Sequence, residues 1–476
     1  MTLTIAIIGI IVIAGFGFAG KRTPAKSMEE WTVSERKIGS LTMWFLQAGE
    51  IYTTFTFLGL SGLAFAGGAA AFYAIPYVPL AFIWLYFMGP RVWRLAKKRG
   101  YLTQADFFED RYKSRVLGII VAILGVVFLI PYLQLQVSGL GTIVQIATGN
   151  AASSTISMVI AFVMTIAFVM WAGLKGTAMT SYFKDAIMVL VLLVLAIALP
   201  AHFAGGIGGM FHELAVKFPA KLSIHAGGYS PLWFISSMAI STIGGLLTTP
   251  HSWPALMSAK SEETLRRNYM FLPLYQIGLV LPMIVGFTAI LVATKKLNPN
   301  GILLTLTSLA LPHWVLGVTV VAGIAAAMVP AAGLLVGITS SLAKNIVRTK
   351  SPKATFYVNQ VAVVVVTGIA LIFAIAAPTL LANLLLLTFS GLAQLAPGIV
   401  AGVYFKSMRP RAVNLIISIL VVEVIVAYLT LGGVTLGGIS PGIVGLVGNL
   451  IVLVALEIVS HTLGGRQSVE KSEMAS

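Results

Sequence analysis

Residues 47–62 read Gln-Ala-Gly-Glu-Ile-Tyr-Thr-Thr-Phe-Thr-Phe-Leu-Gly-Leu-Ser-Gly, a stretch rich in glycine and hydroxyl side chains. It lies in a long apolar run, in which Glu50 is the only charged residue between Lys37 and Arg91. The run is long enough for two membrane crossings, since one crossing needs about 20 apolar residues. In lipid, an interrupted helix is tolerated where its freed backbone lines a cavity or an ion site. The stretch therefore predicts a broken membrane helix at a functional site.

The composition of the whole chain also indicates a membrane protein. Of 476 residues, 58% are hydrophobic and 10% are charged, whereas soluble proteins carry about 25% charged residues. Charges and Pro/Gly clusters divide the chain into about thirteen spans, centred near residues 11, 53, 80, 128, 163, 192, 240, 281, 328, 366, 392, 422 and 452. There is no cysteine, which excludes disulfides, thiol nucleophiles and Cys-ligated metal clusters. We expect an all-α polytopic membrane protein.

The basic residues are distributed unequally between the two sides of the membrane. Of the 31 Lys and Arg residues, 27 fall after odd-numbered spans or in the C-terminal tail, and the remaining four are Lys217, Lys221, Lys295 and Lys296. Basic residues favour cytoplasmic loops, so we expect a cell-membrane protein with its N-terminus outside and its C-terminus in the cytoplasm. This asymmetry accounts for the formal charge of +16 without a nucleic-acid partner. The lipid bilayer is the expected partner, with anionic lipid at the basic loop 91–99.

A second span has the same broken character. Residues 236–250 include Ser236-Ser237, Ser241-Thr242, Gly244-Gly245 and Thr248-Thr249-Pro250. This span lies five spans after the first, and five is odd, so two five-helix units that start at these spans have opposite orientations. Many secondary transporters use such an inverted repeat. The alternative is that glycine and serine only allow close helix packing.

The inverted repeat predicts the organisation of the chain. We expect a first peripheral helix and cytoplasmic loop in 1–37, a first repeat of spans 2–6 in 38–210 and a second repeat of spans 7–11 in 211–406. Two C-terminal peripheral helices follow in 407–465, and a disordered cytoplasmic tail in 466–476.

Glu50 is the acidic residue placed well inside the ten-helix core. Holding a charged carboxylate at bilayer depth costs about 2.5 to 3.5 kcal/mol or more, so such a residue is functional or protonated. The structural alternative is a protonated Glu50 hydrogen-bonded to backbone. A functional role is favoured because Glu50 adjoins Gly49 in the predicted break. Asp185 adjoins Lys184 at the expected cytoplasmic start of span 6, and Glu423 and Glu457 lie in the last two spans, outside the core. We interpret these three acidic residues as structural.

The breaks also predict where a solute binds. The N-terminus of a half-helix presents unpaired N–H groups that favour a carboxylate, and uncharged amides at this depth can bind a polar solute. The candidate substrate-binding residues are Gly49, Thr53, Thr56, Gln134, Ser237, Thr242 and Gln394. No nucleotide-binding or nucleophile motif occurs, and the six histidines form no metal-ligand pair. We therefore expect no catalytic residue, no metal site and no cofactor, and the protein is not predicted to be an enzyme.

Several motifs resemble those of the sodium/solute symporter family. They are residues 48–53 (Ala-Gly-Glu-Ile-Tyr-Thr), 103–112 (Thr-Gln-Ala-Asp-Phe-Phe-Glu-Asp-Arg-Tyr), 173–185, 258–261 and 391–397. The resemblance implies thirteen helices, in which spans 2–11 form the five-plus-five inverted-repeat core shared with bacterial amino-acid transporters.

Within that family, three further stretches are similar to the monocarboxylate permeases. They are residues 74–77 (Ala-Ile-Pro-Tyr), 329–332 (Val-Pro-Ala-Ala) and 344–346 (Lys-Asn-Ile). This similarity implies alanine, lactate and pyruvate as substrates.

The family resemblance also implies an ion site with one departure. It implies sodium ligands at the backbone carbonyls of Gly49, Tyr52 and Ala326, and at a Ser/Thr pair where this chain has Val329 and Pro330. Neither of these two side chains offers the oxygen that a hard cation needs. The sodium site is therefore predicted to be vestigial.

The favoured function is secondary active symport of a small organic solute, a monocarboxylate or small amino acid, by alternating access. A carboxyl at the depth of Glu50 can load and release a proton in each cycle, so H⁺ is favoured as the coupling ion and Glu50 as its carrier. The alternatives are sodium coupling with Glu50 as a ligand, a membrane-arm subunit of a redox complex, and a channel. A membrane-arm subunit is disfavoured because such subunits depend on buried lysines and acids, and no Lys or Arg is expected mid-span in the core. A channel is disfavoured because charge rings and filter motifs are absent.

Overall fold

The computed structural model describes residues 25–149, 154–292, 297–377, 379, 381–405, 409–434 and 436–473, together with residues 4, 5, 8, 9, 11–13, 15 and 16. Within these residues the protein is helical, with two isolated β-bridges and no strand. Nine of the described helices are long and apolar enough to cross a membrane. The first predicted span lies partly outside the described residues, so the count of thirteen stays a prediction.

The helices, in chain order, are α1 (Met28–Val33), α2 (Ser40–Ile51), α3 (Leu60–Gly67), α4 (Ala74–Arg99), α5 (Gln104–Tyr112), α6 (Arg115–Thr148), α7 (Ser154–Ala204), α8 (Ile207–Lys217), α9 (Pro231–Gly244), α10 (Ser252–Met257), α11 (Glu262–Tyr275), α12 (Val280–Val292), α13 (Ile302–Ala310), α14 (His313–Ser341), α15 (Pro352–Ala376), α16 (Leu381–Leu392), α17 (Ala396–Tyr404), α18 (Ala412–Leu431) and α19 (Pro441–Glu473). Two π-helical turns lie at Phe55–Gly59 and Leu342–Val347. Short 3₁₀ turns lie at Ser34–Arg36, Gly68–Tyr73, Pro219–Leu222, Ala226–Gly228, Gln276–Leu279, Pro299–Gly301 and Ala393–Leu395.

Both spans predicted to be broken are interrupted. Span 2 consists of α2 and α3, which are separated by a non-helical turn at Tyr52 (φ −83°, ψ 90°) and the first π-helical turn. Span 7 consists of α9 and α10, with residues 245–251 between them.

The two broken spans run in opposite directions. The start of span 2 pairs with the end of span 7, since the Ile38 amide donates to the Ser258 carbonyl (3.1 Å) and the Lys260 amide to the Ile38 carbonyl (2.9 Å). One span therefore begins on the side of the membrane where the other ends. This is the relation that an inverted repeat requires.

Spans 5 and 6 are joined by a sharp kink instead of a loop. α7 changes direction at Gly173, whose backbone (φ 51°, ψ −166°) leaves the helical region. Glycine has no Cβ and adopts such angles at little cost. Span 6 therefore begins at residue 174, and this boundary fixes how deep its later side chains lie.

α14 is the central helix of the molecule. The most apolar stretch of the span that it forms is buried over its whole length, and it packs against α2, α6 and α7. Two of its glycines allow close approach of the broken spans: a Cβ at Gly333 would lie 3.2 Å from Glu50 Oε1, and one at Gly337 would lie 2.5 Å from His251 Cα. The core thus brings span 9 against both breaks.

The C-terminal helix α19 extends to Glu473. The predicted units of the chain and their bounds, including the disordered cytoplasmic tail in 466–476, stay predictions.

Candidate functional site at the broken helices

Hydroxyl side chains satisfy backbone groups that the break in span 2 sets free. Thr53 Oγ1 accepts a hydrogen bond from the Phe55 amide (3.1 Å), and Thr56 Oγ1 donates to the Ile51 carbonyl (3.2 Å). Ser and Thr often make such local bonds at helix ends and turns. The run of threonines therefore explains how the chain can leave the helix at this depth and re-enter it a few residues later.

The side chain of Lys184, a residue of α7, contacts the C-terminal end of α2. Lys184 Nζ donates to the Gly49 carbonyl at 2.8 Å and lies 2.7 Å from Asp185 Oδ1. The two charged side chains are 0% and 2% exposed. A buried charge of this kind needs a counter-charge close by, and the pair supplies one to each member.

This position corrects the sequence interpretation. Lys184 was placed at the cytoplasmic start of span 6, and no basic residue was expected mid-span in the core. Because span 6 starts at the Gly173 kink, Lys184 lies about 16 Å along the helix and points into the protein, whereas Lys175 is exposed. One of the 27 basic residues assigned to loops is therefore buried, which leaves the charge asymmetry intact.

Gly49 is required for the approach of α2 to α7. A Cβ at this position would lie 2.5 Å from Ser181 Oγ and 2.9 Å from Ser181 Cβ, closer than real side chains approach. Ser181 is one turn before Asp185 on α7. The absence of a Cβ at Gly49 therefore lets α2 and α7 lie close enough for the Lys184 side chain to bond the Gly49 carbonyl.

Glu50 is buried beside the break, with 8% of its surface exposed. Its Oε1 atom has no hydrogen-bond partner within the described part of the chain, and it faces the backbone of Gly333 on α14. A cavity of about 20 Å³ adjoins the side chain, and its other lining residues include Gln47, Ser252 and Tyr269. That volume admits about one water molecule, so Glu50 has one unsatisfied carboxyl oxygen and lies beside a water-sized space.

The predicted ion-site residues on α14 lie in the helix core. Ala326, Val329 and Pro330 are buried, and neither Val329 nor Pro330 offers an oxygen side chain. Pro330 also lacks an amide hydrogen, so it cannot donate the helical hydrogen bond to the Ala326 carbonyl. Tyr52, at the break, uses its hydroxyl to donate to the Tyr275 carbonyl at 2.6 Å.

The glutamine of span 4 that contacts the break of span 2 is Gln136, whereas the sequence predicts Gln134 as the substrate-binding residue. Gln136 Oε1 accepts hydrogen bonds from Thr54 Oγ1 (2.6 Å) and from the Thr54 amide (3.3 Å). Gln134 instead donates to the carbonyls of Phe373 and Ala377 at the end of α15. The residue that touches the break is therefore Gln136, while Gln134 ties span 4 to span 10.

The remaining substrate candidates are not brought to the break of span 2. Ser237 is buried in α9 without a hydrogen-bond partner among the described residues. Thr242 donates to the Met238 carbonyl and lines an apolar groove between spans 3, 7, 11 and 13. Gln394 donates to the Gly442 carbonyl, so it fastens span 11 to α19.

His251 is a residue at the second break that sequence reasoning left unassigned. It follows Pro250 directly, is buried, and its ring lies 5.6 Å from the ring of Tyr132 on α6. Its Nδ1 atom has no hydrogen-bond partner within the described residues. The sequence feature that could have identified His251 is its position between Pro250 and α10, because it places a polar ring at the break of a membrane span.

Two motifs that were separate in the sequence meet on one side of the molecule. Asp106, in the 103–112 motif, contacts Lys344 (2.6 Å) and Asn345 (2.9 Å) in the π-helical turn after α14. Gln104 donates to the Thr248 carbonyl in the break of span 7 (2.9 Å). We call these contacts the clasp, because they join α5 to the end of span 9 and to the break of span 7.

Comparison with known proteins agrees with this architecture. A profile of the sodium:solute symporter family matches residues 31–412. The uncharacterized symporter YhjB of Bacillus subtilis is 36% identical over 83% of this chain and 82% of its own. A monocarboxylate transport permease protein of Rhizobium johnstonii is 27% identical over 84% of this chain and 82% of its own.

A solved structure shows the same fold. A Na⁺-coupled sialic acid symporter in a substrate-bound outward-open state superposes with a TM-score of 0.79 at 14% sequence identity, covering 95% of this chain and 96% of the other. The fold class is confirmed as an all-α polytopic membrane protein with a five-plus-five inverted-repeat core. The protein is a symporter and not an enzyme, and the predicted alternatives of a redox-complex subunit and a channel are wrong. The chain belongs to the sodium:solute symporter family.

Proposed function

We propose that this symporter accumulates a small monocarboxylate or small amino acid together with a proton, and that Glu50 carries the proton. The observation that carries the proposal is the unsatisfied Oε1 atom of Glu50 beside a water-sized cavity at the break of span 2. A buried carboxyl oxygen without a hydrogen-bond partner is costly, and an ionisable residue within a membrane helix is a functional site by default. A single water in the cavity could pass a proton to it.

The break of span 2 supports an anionic group on the solute. The amides of Thr54 and Phe55 begin the second half of the span, and they meet only neutral acceptors, Gln136 Oε1 and Thr53 Oγ1. A carboxylate is a stronger acceptor at a helix N-terminus than an amide or a hydroxyl oxygen. The monocarboxylate permease among the relatives supports the same solute class.

Sodium coupling is the second candidate, and the family and its Na⁺-coupled structural neighbour favour it. In this version Glu50 would itself be a ligand and would compensate for Val329 and Pro330. Those two side chains argue against it, because they remove the oxygen ligands that a hard cation needs.

Uptake by purified protein in sodium-free proteoliposomes tests the proposal. Labelled L-lactate, pyruvate and L-alanine are supplied with an inside-alkaline pH gradient. We expect wild-type protein to accumulate at least one of them, and Glu50→Gln to lose accumulation while still exchanging internal for external solute.

Glu423→Gln is the matched control. Glu423 is also a buried carboxyl without a hydrogen-bond partner in the described structure, but it lies in α18, outside the repeat core. It should accumulate solute as the wild type does. Accumulation by Glu50→Gln at the wild-type level would reject Glu50 as the proton carrier.

A further inference from the structure

The break of span 2 leaves the Gly49 carbonyl without its usual donor. In a continuous helix the Thr53 amide would donate to the Gly49 carbonyl, but the chain leaves the helix at Tyr52. Among the described backbone hydrogen bonds, that carbonyl receives none from Thr53. Its partner is the Lys184 ammonium at 2.8 Å. The Lys184 side chain of span 6 thus supplies the hydrogen bond that the Gly49 carbonyl at the end of α2 would otherwise lack.

We propose that the Lys184 ammonium is a built-in monovalent cation that takes the place of a bound sodium ion at this break. The inference rests on the proposed function of cation-coupled symport, and it concerns what occupies the position next to Gly49. Lys184 brings one positive charge to the C-terminal end of α2, where a helix dipole favours a cation.

The surroundings fit an ammonium better than a metal ion. A lysine ammonium has three N–H donors and needs only acceptors placed at hydrogen-bond distance. Here the ammonium donates a hydrogen bond to the Gly49 carbonyl at 2.8 Å and forms an ion pair with Asp185 Oδ1 at 2.7 Å. A sodium ion would need further oxygen ligands, and Val329 and Pro330 on α14 supply none from their side chains.

The packing holds the ammonium in place. Gly49 touches Ser181 on α7, which fixes the separation of the two helices. Lys184 is fully buried and Asp185 nearly so, so the pair does not exchange its partners for bulk water. A sodium ion from solution would have to displace the Lys184 ammonium from both the Gly49 carbonyl and Asp185, while the lysine stays covalently attached beside the site.

Thermal stability of the purified protein, measured without substrate, tests this inference. NaCl is compared with choline chloride at equal ionic strength. Wild-type protein should show the same Tm in both salts. Lys184→Ala should have a lower Tm in choline chloride, and sodium should restore part of the loss. Removal of the side chain frees the Gly49 carbonyl and Asp185, and the vacated space lets water supply the further oxygen ligands that the ion needs.

Lys221→Ala is the matched control. Lys221 also donates to backbone carbonyls at a helix end, those of Phe65 and Ala66, but it is only half-buried and lies at the end of α3. Its Tm should not respond to sodium. If Lys184→Ala does not yield folded protein, Lys184→Ser, which also leaves the ammonium position open to an ion, is measured in its place.

Two results would overturn the inference. One is a sodium-specific rise in the Tm of the wild type, which would place a sodium ion in the protein while Lys184 is present. The other is a folded Lys184 variant whose Tm is the same in both salts. Neither result depends on a gradient or a solute, so a failure of proton-driven uptake would reject the proposed function and leave this test unaffected.

Discussion

Substitution of Gly49 by alanine should separate α2 from α7 and weaken the contact that holds Lys184. The added Cβ would meet Ser181 Oγ at 2.5 Å, and ordinary contact starts at 3.4 Å, so about 0.9 Å of movement is needed. Movement of that size along the Lys184–Gly49 direction would stretch the 2.8 Å hydrogen bond to about 3.7 Å, beyond hydrogen-bond range. Overpacking of this kind costs about 1–3 kcal/mol.

The assay is a double-mutant cycle on unfolding in mixed micelles. Ser181→Gly removes both atoms that the new Cβ would strike, so Gly49→Ala/Ser181→Gly should recover most of the loss. The single Ser181→Gly change has its own helix-propensity cost of about 0.5 kcal/mol, which cancels in the cycle. We expect a coupling energy of about 1–3 kcal/mol between the two sites.

Gly208→Ala is the control, because Gly208 lies within α8 and a Cβ there would have no atom within 4 Å. It should not destabilise the protein, since alanine favours a helix more than glycine does. The reasoning is refuted if the effects of Gly49→Ala and Ser181→Gly simply add, or if Gly208→Ala is as destabilising as Gly49→Ala.

Three further predictions concern the clasp, the glutamines of span 4 and the topology. Asp106→Asn and Lys344→Met should each cost about 1–3 kcal/mol, because each leaves a partly buried charge without its partner. In the same unfolding assay the Asp106→Asn/Lys344→Met double variant should lose less than the sum of the two single losses, and additive losses would contradict the pairing. Gln136→Leu should weaken solute binding several-fold while Gln134→Leu mainly lowers thermal stability, and equal effects of the two on binding would count against a role for the break. The chain has no cysteine, so Lys97→Cys gives a single label site: an impermeant thiol reagent should not react with it from outside intact cells, and labelling there would reverse the predicted orientation.

Much of the fold could be predicted because it follows from local chemistry. Glycine and hydroxyl residues mark the two breaks, and the odd number of spans between them sets opposite directions. The pairing of Ile38, at the start of span 2, with residues 258–260, at the end of span 7, agrees with these opposite directions.

The site was only partly predictable because it depends on where helices begin and which way side chains point. Lys184 stands next to Asp185 and close to Lys175 in sequence, which is typical of a span end; only the kink at Gly173 places it deep in span 6. Gln134 and Gln136 are two residues apart, about 200° around a helix, so one sequence neighbourhood faces two different spans.

The central claim is that the cation position at the broken helix is filled by the chain itself, so transport is driven by protons and not by sodium. The most direct measurement is solute uptake into wild-type proteoliposomes under two separate gradients. An inside-alkaline pH gradient without sodium should drive accumulation, and an inward sodium gradient at equal pH on both sides should not. Strict dependence on sodium at fixed pH, with no response to the pH gradient, would contradict the account.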